Sequence, residues 1–440
     1  MPYQAGKRLP GERASKLGHL DVLKSPLVQQ LVQKFEEQDP SDLPPFTGWQ
    51  PFPPLGKPLD IIFAVDGSWQ PITDERPPYK SIAFIKTALV NLDQVGLSQI
   101  DKETPHPFAI RDLMSKSAAY HATALPLRHL YADGISVYNA VRQVIYESVK
   151  DESLQGEIME TFKWLVYEKW SNNPRPLPPF ECPHCGGKNA TLPIDAEKGN
   201  CPNCGNELFI TDMLGFHLEM VEEAASDSVA TAYMIIHETL LLFTGIRHFW
   251  ETSKDVLSRC LFIKDGPLQI RAQYSKLVNP IRNFLLHANE QGHPVNLIGQ
   301  EKTGTFVDHL NLISRNAPAG NLFIPDHVYI CEKIQHRPPN GAPYGRDTNY
   351  GAKVFVTANE RCRLVLNVPV KTSMGPFIAN PSIDQLINIE NILATLPSLL
   401  SSRHENALLP IELANSVASL STYPSAQVLR LFADATVKKK

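Results

Sequence analysis

Two mostly apolar runs in this chain of 440 residues lead into an aspartate followed by a glycine. "DIIFAVDGSWQ" carries Asp66-Gly67-Ser68, and "CLFIKDGPLQI" carries Asp265-Gly266-Pro267. Asp-Gly is an ordinary turn dipeptide, and one instance would need no further account. Two instances, each directly after a strand-like run, suggest two neighbouring strands that end on a carboxylate. Ligands of open α/β sheets collect at the carboxyl ends of the strands. Two carboxylates held close together cannot both stay ionised without a cation between them. The matching cation is hard and oxygen-loving, Mg²⁺ or Mn²⁺. Such a cluster suits phosphodiester hydrolysis, where one ion activates water and another stabilises the leaving oxygen. The expected third acid is Glu238 in "MIIHETLLLF", a helix otherwise too apolar to carry an unpaired carboxylate. Glu219, Glu222 and Glu223 lie in a polar context that reads as a solvated face.

A second constellation is "CPHCGGKNATLPIDAEKGNCPNCGNELF", which spaces Cys182, Cys185, Cys201 and Cys204 as CxxC, fifteen residues, CxxC. Each CxxC turn presents two thiolates, and two such knuckles complete a tetrahedral zinc site. Four thiolates leave no open position, so this zinc is read as structural and the segment as folding with metal. His184, between two of the cysteines, is not read as a ligand.

The elements that must position these groups alternate in type. "IIFAV", "SIAFIKTALVNLD", "HATALPL", "CLFIK" and "VNLIG" read as strands, and "KVFVTA" with "RLVLNVPV" as a hairpin. "DGISVYNAVRQVIYESVKD", "LQGEIMETFKWLVYEKW", "SIDQLINIENILATLPSLL" and "LPIELANSVASLS" have helical spacing. A long helical region is expected from about 212 to 258, and another helix over about 270–289. The class is α/β with a mixed sheet. Proline-rich stretches before residue 58 and at 171–180 mark boundaries. The division reads as an N-terminal arm over 1–57 with a short helix near 25–37, a core over 58–170 and 213–440, and an inserted ribbon over 171–212.

Hydrophobic content of 43% allows a sizeable core, and the net charge of −4 argues against a broadly basic nucleic-acid surface while permitting a local basic groove. Glu238, Arg247 and His248 interrupt the most apolar stretch, so no membrane span is expected. The N-terminus shows no signal-peptide core, and seven unevenly spaced cysteines do not form a disulfide framework. The protein is read as cytoplasmic.

"FAVDGS", "MIIHETLLLF", "FIKDGPL", "GQEKTGTFVDH" and "NALLPIELANSVASLS" occur in an order that resembles the NurA nuclease family, over about residues 60–430. The cysteine segment resembles an insertion of some bacterial members. The resemblance implies a ribonuclease H-like fold and a Mn²⁺- or Mg²⁺-dependent DNA nuclease, acting as a 5′-to-3′ exonuclease and often as an endonuclease. It further implies a homodimer working with a HerA-type hexameric ATPase, in end processing or anti-phage defence. By the same resemblance Asp66, Glu238 and Asp265 are the metal-binding acids and Lys302 is a basic position beside them. Asn415 stands where the family often has histidine, and its amide oxygen is a weaker metal ligand. His404 lies near enough in sequence to substitute, or is a plain surface histidine.

The main reading is therefore a metal-dependent deoxyribonuclease, in which Lys302 either steadies the phosphate or is a solvated loop lysine, and Arg271, Lys276 and Arg282 either follow the DNA backbone or form an ordinary solvated helix face. Tyr350, in "TNYGAKVFV", could stack on a base or simply pack. The alternative from another class is a non-catalytic subunit that binds or senses DNA for such an ATPase. A zinc-ribbon adaptor is a third reading, which leaves both Asp-Gly sites unexplained.

Overall fold

The computed structural model describes residues 18–35, 45–93, 118–130, 134–371, 377–401, 403–420 and 424–437. The chain divides into two units, residues 1–46 and 47–440. In the first, the short helix expected near 25–37 is α2 (Pro26–Val32), residues 36 and 37 lying outside the described ones, and a further short helix, α1 (Gly18–Lys24), precedes it. The break falls where Ser25 caps α2 through the amide of Val28 and Pro26 takes the first helical position, which needs no amide donor.

The second unit is built on a mixed sheet of eleven strands among the described residues. A short strand β1 (Gln50–Pro51) precedes a meander of three long ones, β2 (Ile61–Thr73), β3 (Ser81–Asp93) and β4 (Ala118–Arg128). Pairing of β2 with β3 is antiparallel and unbroken from Ile61↔Asp93 to Thr73↔Ser81. Helices α3 (Val137–Val149) and α4 (Glu157–Val166) follow, then the cysteine segment with its own two-stranded sheet, β5 (Lys198–Asn200) and β6 (Glu207–Phe209). The minimal strands β7 (Met220–Val221) and β8 (Ala224–Ala225) lead into the 26-residue helix α5 (Asp227–Thr252).

After the short helix α6 (Lys254–Arg259) comes β9 (Cys260–Asp265), parallel to β2. Helix α7 (Val278–Glu290) returns the chain to β10 (Asn296–Glu301), parallel to β9. Then follow α8 (Thr305–Ile313), β11 (Asn321–Phe323), the hairpin β12 (Ala352–Thr357) and β13 (Arg363–Val368), and helices α9 (Ile389–Leu399), α10 (Leu409–Ala418) and α11 (Ser425–Thr436).

The central order β4-β3-β2-β9-β10, with only β3 running against the rest, is the ribonuclease H-like arrangement expected from the sequence. Strand alternation sorts the two faces. Phe63, Val65, Phe262 and Leu297 pack with α3, α4, α5, α7 and the cysteine segment. Ile62, Ala64, Leu261, Ile263 and Ile298 pack with α9 and α10 on the other side.

Two expectations are corrected. The helix read over 212–258 starts only at Asp227, because 210–219 forms 3₁₀ turns about Gly215 and 220–225 a tiny hairpin. Gly215 has a φ of +83°, and a side chain there would meet the carbonyl of Gln273 at 2.9 Å. Helix α5, for its part, is long and apolar enough to cross a membrane by length and composition, which the sequence reading denied. Its most apolar window is 72% buried inside the protein, and its apolar residues pack in the layer that holds Phe63 and Phe262.

Candidate active site

Asp66 does not end its strand. It lies inside β2, and the antiparallel pairing with β3 continues past it through Gly67↔Thr87 and Ser68↔Lys86. What ends there is the parallel pairing on the other edge, whose last rung is Val65↔Lys264. One residue later β9 stops at Asp265 and turns away through Gly266, whose φ is +79°. The rim is thus made by the departure of β9, and it leaves Asp66 and Asp265 side by side. Gly299 of β10 permits the turn: a side chain there would meet the Gly266 carbonyl at 2.6 Å and the Leu268 amide at 2.9 Å.

Asp66 is 5% exposed. Its Oδ1 accepts from the Gly67 amide at 2.7 Å, and its buried Oδ2 has no hydrogen-bond partner. Burial, then the charges of Asp265 and Glu238, push its carboxyl up to about 8, against a smaller opposing pull from Lys302. Asp265 is partly exposed and is paired with Lys302, Nζ to Oδ2 at 2.9 Å. Lys302 directly follows β10.

Glu238 comes from the other side of the sheet. It sits in the middle of α5 with its carboxylate over Gly67, where an added Cβ would lie 2.5 Å from Oε1. This explains the glycine of the first Asp-Gly pair: the strand must be bare there for the helix carboxylate to approach. Glu238 Oε2 accepts from Lys264 Nζ at 2.7 Å, and Lys264 also donates to the Asp265 carbonyl at 2.9 Å. Burial raises the Glu238 carboxyl, opposed chiefly by the Lys264 charge. Lys264 was not singled out in the sequence, although a lysine inside the buried run "CLFIKD" is a visible anomaly.

The chain is similar to solved NurA structures. One is the crystal structure of the NurA nuclease from Sulfolobus solfataricus, at 8% identity over 88% of this chain and 86% of that one, with a TM-score of 0.34. A second NurA structure is 13% identical over 95% of each chain, with a TM-score of 0.29. A third, NurA bound to dAMP and manganese, is 12% identical over 89% of this chain and 91% of that one, with a TM-score of 0.29. No family model and no curated protein matches the chain.

The remaining candidates differ in exposure and in what they touch. Asn415 is exposed on α10. That helix starts over β10, where the Gln300 side chain bonds the Asn406 carbonyl at 2.8 Å and the Leu408 amide at 3.2 Å. It ends near β2, where the Leu420 amide reaches Ser68 Oγ at 3.2 Å. His404 is exposed in the loop before α10. Arg271 and Lys276 are exposed, Lys276 donating to the Pro179 carbonyl at 2.9 Å. Arg282 is not a surface cation: it is buried, and its guanidinium donates to the carbonyls of Gly345, Arg346 and Asn349, holding that loop. Tyr350 is packed, with its hydroxyl 3.5 Å from Thr239 Oγ1. An ion pair the sequence did not suggest joins Lys353 to Glu301, which also accepts from Asn367 at 2.9 Å.

Carboxylate oxygens, one of them buried and unpartnered, are the donors a hard divalent cation takes. Among the described residues, though, the four cysteines are the one group of three or more such side chains whose ligand atoms all lie within 4.8 Å of one another. The three acids stand wider, with lysines on two of them.

The two cysteine knuckles repeat each other. The Gly186 amide bonds the Cys182 carbonyl and the Gly205 amide the Cys201 carbonyl, both at 2.9 Å, with φ of 68° and 73° at the glycines. Amides of His184 and Asn203 each point at a sulfur at 3.4 Å. Four soft donors so arranged could hold zinc. His184 lies outside the set, its Nε2 3.1 Å from the Glu207 carbonyl. Cys182, Cys201, Leu208 and Phe209 belong to the same apolar layer as α5, and a buried Arg142–Asp212 pair at 2.9 Å ties the segment to α3.

Proposed function

We propose that this chain is a divalent-metal-dependent deoxyribonuclease, with Asp66, Asp265 and Glu238 as its acidic set. The observation that carries the reading is Asp66 itself: a buried carboxylate, crowded by two others, with one oxygen left without a partner. Such a group is costly to ionise alone and favourable once a cation is shared. Mn²⁺ or Mg²⁺ bound there would supply a water of lowered pKa and offset charge on the phosphate.

The chain's own residues divide the remaining work. Asp66 and Asp265 hold the ion at the rim. Lys302, one-third exposed, can leave Asp265 when the ion arrives and meet a phosphate oxygen as a point charge. Asn415 is the amide available from α10 if that helix closes on the rim. The cysteine segment, loaded with zinc, supports the α5 layer rather than the chemistry.

The wider reading rests on the resemblance in sequence order: a cytoplasmic homodimer acting with a HerA-type hexameric ATPase, cutting DNA 5′ to 3′ or internally, in end processing or anti-phage defence. A second reading, a non-catalytic DNA-binding or sensing subunit of the same assembly, draws support from the two lysines that already neutralise Glu238 and Asp265.

The test is cleavage of end-labelled linear DNA in Mn²⁺, with and without the ATPase. Asp66→Asn and Asp265→Asn should each lower the rate by more than about 100-fold, the scale on which one catalytic charge acts. Wild-type cleavage by a pure Asp66→Asn preparation would refute the site, and an inert wild type in both conditions would favour the non-cutting subunit.

A further inference from the structure

Two lysines neutralise acids of this site, and they differ in one respect. Lys302 is 32% exposed and can swing into water. Lys264 is 3% exposed, its partner Glu238 is 4% exposed, and the ammonium spends two donors on Glu238 Oε2 and the Asp265 carbonyl. Buried Tyr350 is close enough for its hydroxyl to be felt at Lys264.

Alternation separates the groups further. Ile62 and Ala64 face α9 and α10, so Asp66 does too; Phe63 and Val65 face α5, as does Gly67, which lies against Glu238 of that helix. On β9, Ile263 faces α9 and α10, and Lys264 faces α5. The acids therefore divide by their partners: Asp66 with Asp265 at the open rim, and Glu238 with Lys264 beneath it, near enough for the Glu238 charge to act on Asp66. A metal ion binding to Glu238 would have to expel Lys264, and that ammonium has no water to go to. An expelled, unpaired buried ammonium is among the least favourable states a protein core offers.

We propose that Lys264 is the fixed internal cation of this site, holding the position beside Glu238 that a second metal ion would otherwise take. The site then accepts a single divalent ion, between Asp66 and Asp265. Glu238 is then no ligand of that ion: its carboxylate holds Lys264 in place beneath the rim. This rests on the metal-dependent reading above and narrows it.

The experiment is a titration of the full, zinc-supplied chain with Mn²⁺, free ion being followed by electron paramagnetic resonance. Wild type should bind one Mn²⁺ per chain outside the cysteine site. Asp66→Asn should weaken that binding about 100-fold or more, and Glu238→Gln by no more than about threefold. Lys264→Met, which frees Glu238, should bind a second ion. Should that variant fail to fold, the double variant Lys264→Met/Glu238→Gln removes both buried charges together and should bind one ion at about the wild-type affinity. Two ions in wild type, or Glu238→Gln as damaging as Asp66→Asn, overturns the assignment to Lys264 while the metal reading stands. A wild type that binds no manganese overturns both.

Discussion

Replacing Asp66 with asparagine should stabilise the metal-free protein, and by an amount that depends on pH. In the fold the carboxyl is raised from its ordinary 3.8 to about 8, mainly by burial and then by Asp265 and Glu238. The sign follows from proton counts. Between those two values the unfolded chain has lost the Asp66 proton and the folded chain keeps it, so stability falls as pH rises. The loss begins near pH 4 and is complete just above pH 8. At 1.36 kcal/mol per pH unit, the penalty is about 3 kcal/mol at pH 6 and about 5–6 kcal/mol at pH 8.5. Asparagine carries no such penalty at any pH. The advantage of Asp66→Asn over wild type should therefore grow by up to about 1.4 kcal/mol per pH unit from pH 6 to 8 and then level off. Urea or thermal unfolding of both proteins across pH 6–9, zinc-supplied and free of manganese, reads this directly. Adding Mn²⁺ at about 100 times the wild-type dissociation constant should return about 2.7 kcal/mol to wild type and at most about 0.4 kcal/mol to the variant. Parallel pH profiles for the two proteins would refute the argument that Asp66 is buried under strain for want of a cation.

Two further outcomes follow from the packing. Gly67→Ala should cost about 1–3 kcal/mol and weaken Mn²⁺ binding, because its methyl would meet Glu238 Oε1 at 2.5 Å, and that carboxylate is pinned by Lys264; unfolding and Mn²⁺ titration of the variant test it. Stripping zinc with a chelator should lower the melting temperature of the main unit by about 5 °C or more, since Cys182 and Cys201 lie in the same apolar layer as α5. An unchanged melt would mean that the cysteine segment is an appendage.

How much of this was legible in the sequence depended on whether the signal was local. Strand β3 and the hairpin β12–β13 are visible because each is a continuous apolar run bounded by turns, and the cysteine knuckles because zinc demands fixed spacing. The nearness of Asp66 to Asp265 was also inferable, since both follow apolar, strand-like runs, but the reason given for it was half right. Asp265 does end its strand. Asp66 sits mid-strand, and only its parallel neighbour stops, a fact of register between segments about two hundred residues apart that no local pattern encodes. Apolar density misled over 212–226, where the positive φ of Gly215 and a two-residue hairpin break what reads as one helix. Charge misled at Arg282, which its position on a helix suggests is solvated and which instead satisfies three carbonyls of one loop. Lys264 shows the general difficulty most plainly. In sequence it is one cation in an apolar run, and its meaning depends on Glu238, 26 residues upstream on another element, reaching across the bare backbone of Gly67. A charge in a buried strand signals that a partner must exist, because an unpaired one would not be tolerated. Which partner, and on which face, is decided by the pleat of the strands and the path of α5, and these are properties of the assembled sheet.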